Sequence, residues 1–481
     1  MTRDDLHVLT SAEMGASDRA AIAAGTPGTA LMEAAGWQVA RLIRRNFPRR
    51  AVVVLCGPGN NGGDGFVAAR LLRRWGWPVR LGLLGDAALL CGDAEIMAKR
   101  WQGPIRPADP ALLAGNPLVV DALFGAGLAR PLEGMALELV REIGRRGLDV
   151  VAVDLPSGVK GDSGEILGAA PKAVLTVTFA ALKPAHLLLP GRDLCGRIEV
   201  TEIGVTPLPS ATYRNSPELW FAHMPRLAAD SHKFSRGHLL VAGGAELTGA
   251  ARLAVWAGRR VGAGLATVAA PPGLEDVYRR DHPGTMVRPV STWANLLADP
   301  RVTAAVIGPG LGVGELTRRL ILQALAAGKA CVLDADGLTS FASDPGLLWS
   351  ARGTPVLTPH EGEFARLFKQ QGDRLARARL AAHESGAVVL LKGSDTVVAS
   401  PDGRAAIAGN APPDLATAGA GDVLSGLIGG LLAQGMDRFF AAAAAVWLHG
   451  EAARRFGRGL VAEDLIDYLP QVLEDLWDEH G

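Results

Sequence analysis

The chain has 481 residues, of which 48% are hydrophobic, and its 49 basic side chains balance 49 acidic ones. The length predicts two or three domains, and the composition excludes a disordered, collagen-like or coiled-coil protein. Because the formal net charge is zero, a dedicated binder of nucleic acid or of anionic membranes is not expected.

The N-terminal residues contain no apolar signal core, and no uncharged apolar run has the ~18 residues of a membrane span. The four cysteines lie far apart and form no CxxC pair. Two of them, Cys56 and Cys331, stand in apolar runs typical of strands, which predicts buried and reduced thiols. We therefore expect a soluble, cytoplasmic enzyme that binds neither nucleic acid nor a membrane.

The first half of the chain alternates helical and strand-like segments. Helical sequence runs from residue 11 to 47 with a break near 25–28, and a further helix is predicted from Phe66 to Trp75. Apolar runs rich in β-branched residues lie at 51–56, 117–120, 149–153 and 173–179. Continuous apolar strands separated by helices predict a parallel sheet covered on both faces, in a Rossmann-like three-layer α/β domain. Such sheets bind ligands beyond the carboxyl ends of their strands.

The first of these strands ends in a glycine-rich segment, Gly57-Pro-Gly-Asn-Asn-Gly-Gly-Asp-Gly65, which matches GxGxxG. Glycines let the backbone approach a phosphate, and the start of the next helix supplies N–H donors. The alternative is a tight structural turn. Because Asn60, Asn61 and Asp64 add side-chain oxygens that a plain turn does not need, a binding loop is favoured.

Two later strands end in aspartates, Asp121 and Asp154, although either residue is also compatible with a helix cap or a loop. Asp121 precedes a second glycine-rich loop, and Ser157 follows Asp154 closely. Since Asn61, Asp121 and Ser157 all offer oxygen, they are candidates for binding one monovalent or other hard cation. The chain has no HExxH motif and no Cys/His cluster, which argues against zinc.

Residues 207–217 are rich in proline and polar side chains and predict a linker, with domains at 1–212 and 213–481. Apolar runs at 238–242, 265–269, 304–307, 330–333, 355–358 and 388–391 predict a second α/β domain. An apolar stretch at 439–447 is interpreted as core, with a subunit interface as the alternative.

The second half has its own group of candidate residues at strand and helix ends. Residues 416–426 contain Gly-Ala-Gly-Asp422 and lead into an apolar helix at 427–432, so backbone N–H groups predict an anion site with Asp422 as base. The alternative is a structural Gly-Asp helix cap, and no P-loop motif is present. Lys392–Thr396 is a candidate nucleotide site, and His360 is a candidate substrate contact or, alternatively, a packed or capping residue.

The motifs at 57–65, at 121–128 (Asp-Ala-Leu-Phe-Gly-Ala-Gly-Leu) and at 153–159 (Val-Asp-Leu-Pro-Ser-Gly-Val) together resemble the NAD(P)H-hydrate epimerase family. Phe179-Ala-Ala-Leu-Lys-Pro184 extends the likeness, which covers about residues 5–205. The resemblance implies potassium on Asn61, Asp121 and Ser157. The residues it implies for dinucleotide binding are Asn60, Asn61, Gly62, Gly63, Asp64, Gly125, Ala126, Gly127, Leu128, Ala129, Arg130, Pro131, Asp154 and Lys183.

The implied chemistry fits these residue types. A hydrated nicotinamide carries a hydroxyl at C6, beside the ring nitrogen; protonation lets water leave with electrons from nitrogen, and readdition on the other face inverts the centre. A carboxyl group that acts as acid and base performs both steps, and Asp154 is the candidate. Lys183 either lowers the pKa of Asp154, orients the substrate, or is an ordinary surface lysine.

The motifs at 243–250, 307–312, 358–363, 391–395 and 417–426 resemble the ADP-dependent NAD(P)H-hydrate dehydratases, which have a ribokinase-like fold, over about residues 225–475. The segment Gly-Gly-Ala-Glu-Leu-Thr departs from relatives, which usually have an aromatic residue before the glycine, and this predicts that Leu247 and Thr248 stack less well on a base or nicotinamide ring. The substrate contacts implied are Ala250, Gly310, Gly312, His360 and Asp422, and the nucleotide contacts are Lys392, Gly393, Ser394, Asp395, Thr396 and Gly421.

The two resemblances imply one repair process. ADP with magnesium would phosphorylate the C6 hydroxyl, Asp422 would take its proton, and loss of phosphate would restore the dihydronicotinamide, leaving AMP. The epimerase would supply the epimer that the dehydratase consumes, and a homo-oligomer is expected. One alternative is a dinucleotide-binding domain fused to a ribokinase-like vitamin-precursor kinase, for which Asp86 lies too late to bind ribose. The other is a non-catalytic first domain, against which Asn61, Asp121 and Asp154 argue.

Overall fold

The computed structural model describes residues 6–280 and 282–481. It divides the chain into two compact units between Ser210 and Ala211, inside the predicted linker and just before the boundary expected after residue 212. Cys56 and Cys331 are buried free thiols, which confirms that prediction. Within the described ranges, no helix is both long and apolar enough to cross a membrane.

The first unit alternates strands with helices. Its strands are β1 (Val52–Cys56), β2 (Val79–Leu83), β3 (Ile105–Pro107), β4 (Leu118–Ala122), β5 (Val150–Val153), β6 (Leu175–Phe179) and β7 (Arg197–Thr201). Its α-helices are α1 (Ser11–Ala23), α2 (Gly28–Asn46), α3 (Asn60–Arg74), α4 (Gly92–Lys99), α5 (Gly134–Arg146) and α6 (Gly191–Leu194). In the described part of this unit the sheet order is β3-β2-β1-β4-β5-β6-β7, and each neighbouring pair is parallel.

Alternate residues of the buried strands pack into two apolar clusters, one on each face of this sheet. Val52 and Val54 of β1 pack with α2 and α3, whereas Val53 and Leu55 pack with α5. This arrangement confirms the predicted three-layer α/β domain. The edge strands β3 and β7 were not predicted, because their side chains are mostly exposed or half-buried and form no apolar run.

The prediction that this helix begins at Phe66 is wrong, because α3 begins six residues earlier, at Asn60. Its glycines are required by close packing. A Cβ atom at Gly62 would lie 1.9 Å from the Gly57 carbonyl oxygen, and one at Gly63 would lie 2.4 Å from the sulfur of Met32. Residues 60–65 of the motif interpreted as a loop are therefore the first turns of the helix, and only residues 57–59 connect it to β1.

The second unit contains a larger mixed sheet. Its strands are β8 (Thr212–Arg214), β9 (His238–Ala242), β10 (Leu265–Ala270), β11 (Met286–Pro289), β12 (Val302–Ile307), β13 (Ala330–Leu333), β14 (Val356–Leu357), β15 (Val388–Leu391), β16 (Val397–Ala399) and β17 (Ala405–Ile407). Its longer helices are α8 (Thr248–Arg260), α11 (Glu315–Ala326), α15 (Arg374–Ser385), α16 (Ala420–Ala433), α17 (Arg438–Phe456) and α18 (Ala462–His480). The shorter helices are α7 (Pro217–Trp220), α9 (Glu275–Arg279), α10 (Trp293–Ala298), α12 (Asp336–Thr339), α13 (Pro345–Trp349) and α14 (Glu361–Leu367).

Over the described residues, this sheet has the order β11-β10-β9-β12-β13-β14-β15-β16-β17-β8. The pairs from β11 to β15 are parallel, as the alternating pattern predicts, and β15, β16 and β17 form an antiparallel extension. β8 lies inside the predicted linker but pairs with β17. Short strands of three residues carry too little periodicity to be predicted.

One face of this sheet is covered by α8, α16 and α17, and α18 packs against these helices. Close contact between α8 and α16 depends on glycine, since a Cβ atom at Gly426 would lie 2.1 Å from the Ala254 carbonyl oxygen. α16 begins at Ala420, several residues before the helix predicted at 427–432. In α17, Phe439 and residues 441–446 are buried in the same apolar cluster, so the stretch at 439–447 belongs to the core.

Candidate active sites

A cavity of about 710 Å³ lies beyond the carboxyl ends of β1, β4 and β5 in the first unit. Most residues implied for dinucleotide binding line it: Asn60, Asn61, Asp64, Gly125, Ala126, Gly127, Leu128, Ala129, Arg130, Asp154 and Lys183. Gly62 and Gly63 instead serve helix packing, and Pro131 is exposed outside the lining. Asp121 and Ser157 are fully buried and also lie outside the lining.

Asp154 and Lys183 form a buried ion pair at this cavity. The Lys183 Nζ lies 2.9 Å from Asp154 Oδ1 and donates a 2.9 Å hydrogen bond to the Thr178 hydroxyl. Thr178 in turn donates to Asp154 Oδ1 at 3.0 Å, and the Ala126 amide donates to Asp154 Oδ2 at 2.8 Å. Lys183 is only 2% exposed, so the alternative of a surface lysine is wrong.

The electrostatics of this pair keep Asp154 ionised. Burial alone would raise the pKa of Asp154, but the charge of Lys183 and the hydrogen bonds from Ala126 and Lys183 outweigh burial and lower that pKa to about 2. Asp154 also has a φ of 65°, an uncommon conformation for a residue other than glycine. The carboxylate is thus fixed in direction and negatively charged at neutral pH.

His186 holds both partners of this ion pair through their backbones. Its Nδ1 accepts a 2.9 Å hydrogen bond from the Lys183 amide, and its Nε2 lies 2.9 Å from the Asp154 carbonyl oxygen. This pattern requires the neutral tautomer with the proton on Nε2. Burial and the charge of Lys183 lower the pKa of His186 to about 4, which favours the same neutral form. His186 was not among the residues predicted from the sequence, although it follows Lys183 by a single short turn.

Asp121 and Ser157 are in direct contact at the ends of β4 and β5. Ser157 donates to Asp121 through its hydroxyl at 2.6 Å and through its amide at 2.8 Å. Burial raises the pKa of Asp121, against these hydrogen bonds and one from Leu123. Within the described residues, neither Lys nor Arg forms an ion pair with this carboxyl group. Asn61 lies nearby against Gly125, where a Cβ atom would be 3.0 Å from its Oδ1.

Three further acids, Asp18, Asp64 and Asp93, line the cavity with Asp154. Asp18 comes from α1 and was missed, because nothing in its local sequence places that helix over the strand ends. Burial raises the pKa of Asp18, against the charge of Lys183. Asp64 lies in the second turn of α3 and is almost completely buried.

In the second unit, Lys392 forms an ion pair with Asp334, which was not among the residues predicted from the sequence. Its Nζ lies 2.8 Å from Asp334 Oδ1, and the Ser425 hydroxyl donates to Asp334 Oδ2 at 2.6 Å. A Cβ atom at Gly421 would lie 3.6 Å from that Nζ, so the start of α16 faces this pair. Asp334 directly follows β13, as Asp154 directly follows β5, and Asp121 is the penultimate residue of β4. This position at a strand end is the sequence signal that could have identified Asp334.

Asp422 lies in the first turn of α16 beside this pair. Burial and the charges of Asp334 and Asp336 raise the pKa of Asp422 to about 6, against the charge of Lys392. A carboxyl group with such a pKa is mostly ionised at neutral pH yet retains basicity, which suits a general base.

His360 caps α14 and reaches the same group of charges indirectly. Its Nδ1 accepts hydrogen bonds from the Gly362 and Glu363 amides, so the capping alternative describes its observed role. Its Nε2 lies 3.5 Å from Glu363 Oε1, and the other carboxylate oxygen of Glu363 lies 3.9 Å from Lys392 Nζ. The half-exposed ring still leaves an edge for a substrate.

In the turn at residues 392–396, which is predicted to bind the nucleotide, two side chains already interact with other protein groups. Asp395 is buried and pairs with Arg374 at 3.2 Å, and the Thr396 hydroxyl donates to the Gly393 carbonyl oxygen at 2.6 Å. Gly393 and Ser394 form the exposed tip. These contacts indicate that Asp395 and Thr396 shape the turn.

Backbone groups dominate the remaining predicted substrate contacts. A Cβ atom at Gly310, whose φ is 61°, would lie 3.1 Å from the Ala250 Cβ, so these two residues are neighbours. The Gly312 amide donates a 2.8 Å hydrogen bond to Asp336. The turn after β12 therefore lies against the start of α8.

Each of the two units matches a known protein family. Residues 28–185 match the family described as YjeF-related protein N-terminus, and residues 238–473 match that described as NAD(P)H-hydrate dehydratase. The bifunctional NAD(P)H-hydrate repair enzyme of Moorella thermoacetica is 38% identical over 98% of each chain. That of Coxiella burnetii is 37% identical over 94% of this chain and 96% of its own. The chain belongs to the family of bifunctional NAD(P)H-hydrate repair enzymes.

Solved structures resemble the second unit of this repair enzyme. A ribokinase-like superfamily protein from Enterococcus faecalis covers 56% of this chain and 98% of its own, with 24% identity and a TM-score of 0.51. An ADP/ATP-dependent NAD(P)H-hydrate dehydratase from Bacillus subtilis, co-crystallized with ATP/Mg²⁺, is 30% identical over 55% of this chain and 98% of its own, with a TM-score of 0.49. The first of these confirms the ribokinase-like fold.

The repair enzyme thus joins an epimerase half to a dehydratase half, as the two sequence resemblances predict. The alternative of a vitamin-precursor kinase is not supported, since the second half matches the dehydratases and relatives with both halves extend over nearly the whole chain.

Proposed function

We propose that the cavity of the first unit binds the hydrated dinucleotide and that Asp154 faces the reacting C6 atom. The observation that carries this proposal is the buried Asp154–Lys183 pair at the wall of the cavity. Because the pKa of Asp154 is about 2, its carboxylate stabilises the cationic ring formed when water leaves. The same carboxylate accepts the proton of the water that adds to the opposite face.

The group formed by Asn61, Asp121 and Ser157 fits a monovalent cation. Its donor atoms are all oxygens, and the Asp121 carboxyl group is completely buried with only hydrogen bonds to offset its charge. Potassium held by these residues would supply the missing positive charge and anchor the loop after β4, whose Phe124 amide already donates to the Ser157 hydroxyl at 2.9 Å.

For the second unit, we propose a phosphoryl transfer from ADP to the C6 hydroxyl with Asp422 as base. The first turn of α16 offers backbone N–H groups to the transferring phosphoryl group, while Lys392 and Gly421 face the same point. The new oxygen–phosphorus bond forms as the bond between the β-phosphorus of ADP and its bridging oxygen breaks and AMP leaves, while Asp422 takes the hydroxyl proton. Phosphate then leaves C6 with electrons from nitrogen, and loss of a C5 proton restores the dihydronicotinamide. Magnesium bound to the nucleotide would neutralise charge on its phosphates.

The full-length enzyme tests both proposals in one assay. The substrate is a mixture of both NADHX epimers with ADP and magnesium, and the readout is the near-ultraviolet absorbance of NADH. We expect complete recovery with the intact enzyme, none with Asp422→Asn, and prompt recovery of only one epimer with Asp154→Asn. Recovery that stalls in the intact enzyme contradicts the epimerase proposal, and failure with ADP contradicts the proposed donor.

A cytoplasmic location is part of the proposal, supported by four cysteines that are all free. The expected homo-oligomer remains a prediction, which light scattering of the purified enzyme would test.

A further inference from the structure

The Asp154 carboxylate leaves one half of the epimerase reaction without a proton donor. Expulsion of water from C6 needs an acid on the hydroxyl group, but the Lys183 ammonium and the Ala126 amide hold Asp154 in its ionised form. Lys183 is itself engaged by Thr178 and by the Phe179 carbonyl oxygen. The cavity must therefore contain another group that carries a proton at neutral pH.

Asp64 is a carboxyl group at the cavity whose surroundings favour its protonated form. Asp64 is one of the residues that line the cavity, and it is only 9% exposed. Among the described residues, no hydrogen bond and no cation satisfies its carboxyl group, in contrast to Asp154 and Asp121. An unpaired carboxylate buried in this way is costly, whereas the protonated acid is not.

We infer that Asp64 is a second catalytic residue of the epimerase half, a neutral carboxylic acid that protonates the C6 hydroxyl while Asp154 remains ionised. This inference rests on the function proposed for the first unit. It gives the two carboxyl groups opposite roles, which one acid/base residue would otherwise have to combine.

The proton balance closes over one turnover. Asp64 gives its proton to the hydroxyl oxygen, the C6–O bond breaks, and water leaves as the nitrogen lone pair forms the C6–N double bond. Water then adds to the other face of C6, and its proton goes to Asp154. Transfer of that proton from Asp154 to Asp64 restores the starting state.

The surrounding charges support this assignment. Burial raises the pKa of Asp64 well above its ordinary range, and the negative charges of Asp154 and Asp18 raise it further. Asp154, Asp18 and Cys56 interact electrostatically with Asp64, and the other charged groups that line the same cavity are Asp93, Arg130 and Lys183. Transfer from Asp154 to Asp64 runs from the weaker to the stronger base and is therefore favourable.

Epimer interconversion without ADP, followed by chromatography of the two NADHX epimers, tests the inference in the full-length enzyme. Asp64→Asn keeps the shape of the side chain but has no acid proton. We expect it to lower kcat about 10²-fold or more while KM changes less than about threefold. In the intact enzyme the rate should fall as pH rises through the pKa of Asp64, and Asp64→Asn should lack this falling limb.

Asp18→Asn is the matched control, because it removes a neighbouring negative charge and leaves the acid in place. It should retain the falling limb and move it to lower pH. Dehydratase activity of the same preparation, measured with ADP and the reactive epimer, reports that the second unit is folded. A KM for epimer interconversion close to that of the intact enzyme reports that the first unit, which carries both substitutions, is folded as well. An Asp64→Asn enzyme that raises only KM, or that keeps the falling limb, overturns the inference.

Infrared spectroscopy gives a readout that does not depend on turnover. The spectrum of the intact enzyme minus that of Asp64→Asn at neutral pH should contain the C=O stretching band of one protonated carboxyl group, and so should the spectrum of Asp18→Asn minus that of the double variant. A band of equal intensity in the intact enzyme and in Asp64→Asn overturns the inference. If Asp154→Asn instead interconverts the epimers at the full rate, the role proposed for Asp154 fails separately.

Discussion

The Lys392 ammonium group lies 2.8 Å from the Asp334 carboxylate, across two strand ends that are 58 positions apart in the chain. Asp334 is 2% exposed and would be an isolated buried charge without this partner. The pair stands beside Asp422, whose pKa responds to both charges in opposite directions. Lys392 therefore has two tasks, to compensate Asp334 and to moderate the basicity of Asp422.

Replacing Lys392 with methionine should disturb both tasks. We expect the free energy of unfolding to fall by about 3 kcal/mol, because Asp334 keeps its burial and loses its partner. The pKa of Asp422 should rise, so the dehydratase rate should need a higher pH. Urea unfolding and a pH–rate profile measure the two effects, and Lys392→Arg, which keeps the charge, should show smaller changes. An unchanged profile in Lys392→Met would contradict the coupling.

The dehydratase rate of the intact enzyme should rise with pH through about 6, because Asp422 must be ionised to take the hydroxyl proton. Asp334→Asn removes a charge that raises this pKa, so the rising limb should move to lower pH. Asp336→Asn should move it in the same direction by less, since Asp336 contributes less to the shift. Steady-state rates between pH 5 and 8 test this order, and movement to higher pH in either variant would refute it.

Gly125 is tightly enclosed by the epimerase site. A Cβ atom there would lie 2.8 Å from Asp154 Oδ2 and 3.0 Å from Asn61 Oδ1. Gly125→Ala should therefore displace the Asp154 carboxylate and lower kcat for epimer interconversion about tenfold or more. Gly144→Ala, on the exposed face of α5 with open space around it, is the control and should leave kcat unchanged. Equal rates in the two variants would show that the contact is unimportant.

His449 should make the second unit sensitive to acid. Its Nε2 is buried without a hydrogen-bond partner among the described residues, and burial lowers the pKa of His449 to about 4. The unfolded chain takes up the proton near pH 6.5, so stability is present above that pH and is lost as pH falls towards 4. This amounts to about 2 kcal/mol between pH 7 and 5. Urea unfolding of His449→Gln should show a correspondingly smaller loss over this interval than the intact enzyme.

Strand positions and strand-end residues could be predicted from the sequence, because a buried parallel strand needs a continuous apolar run whatever surrounds it. The run at 238–242 is β9 without any shift. The first residues of helices were harder to predict. The glycines at 62, 63 and 65 allow close packing of α3, but in the sequence they have the composition of a loop. Contacts between residues far apart in the chain leave no local sequence pattern, because only the folded topology brings these residues together. Examples are the ion pair between Asp334 and Lys392 and the position of Asp18 in the epimerase cavity.

The pairing of β8 with β17 decides where this protein can be cut. Ala405, Ala406 and Ile407 pair in register with residues 212–214, and Arg379 holds the Thr212 hydroxyl at 2.7 Å. A dehydratase half beginning after Arg214 would expose the unsatisfied backbone of an edge strand, which invites aggregation with other copies. A dehydratase half beginning at Ala211 would keep β8 paired with β17. Residues 207–217 therefore include a structural part of the second unit, although their composition is that of a flexible linker.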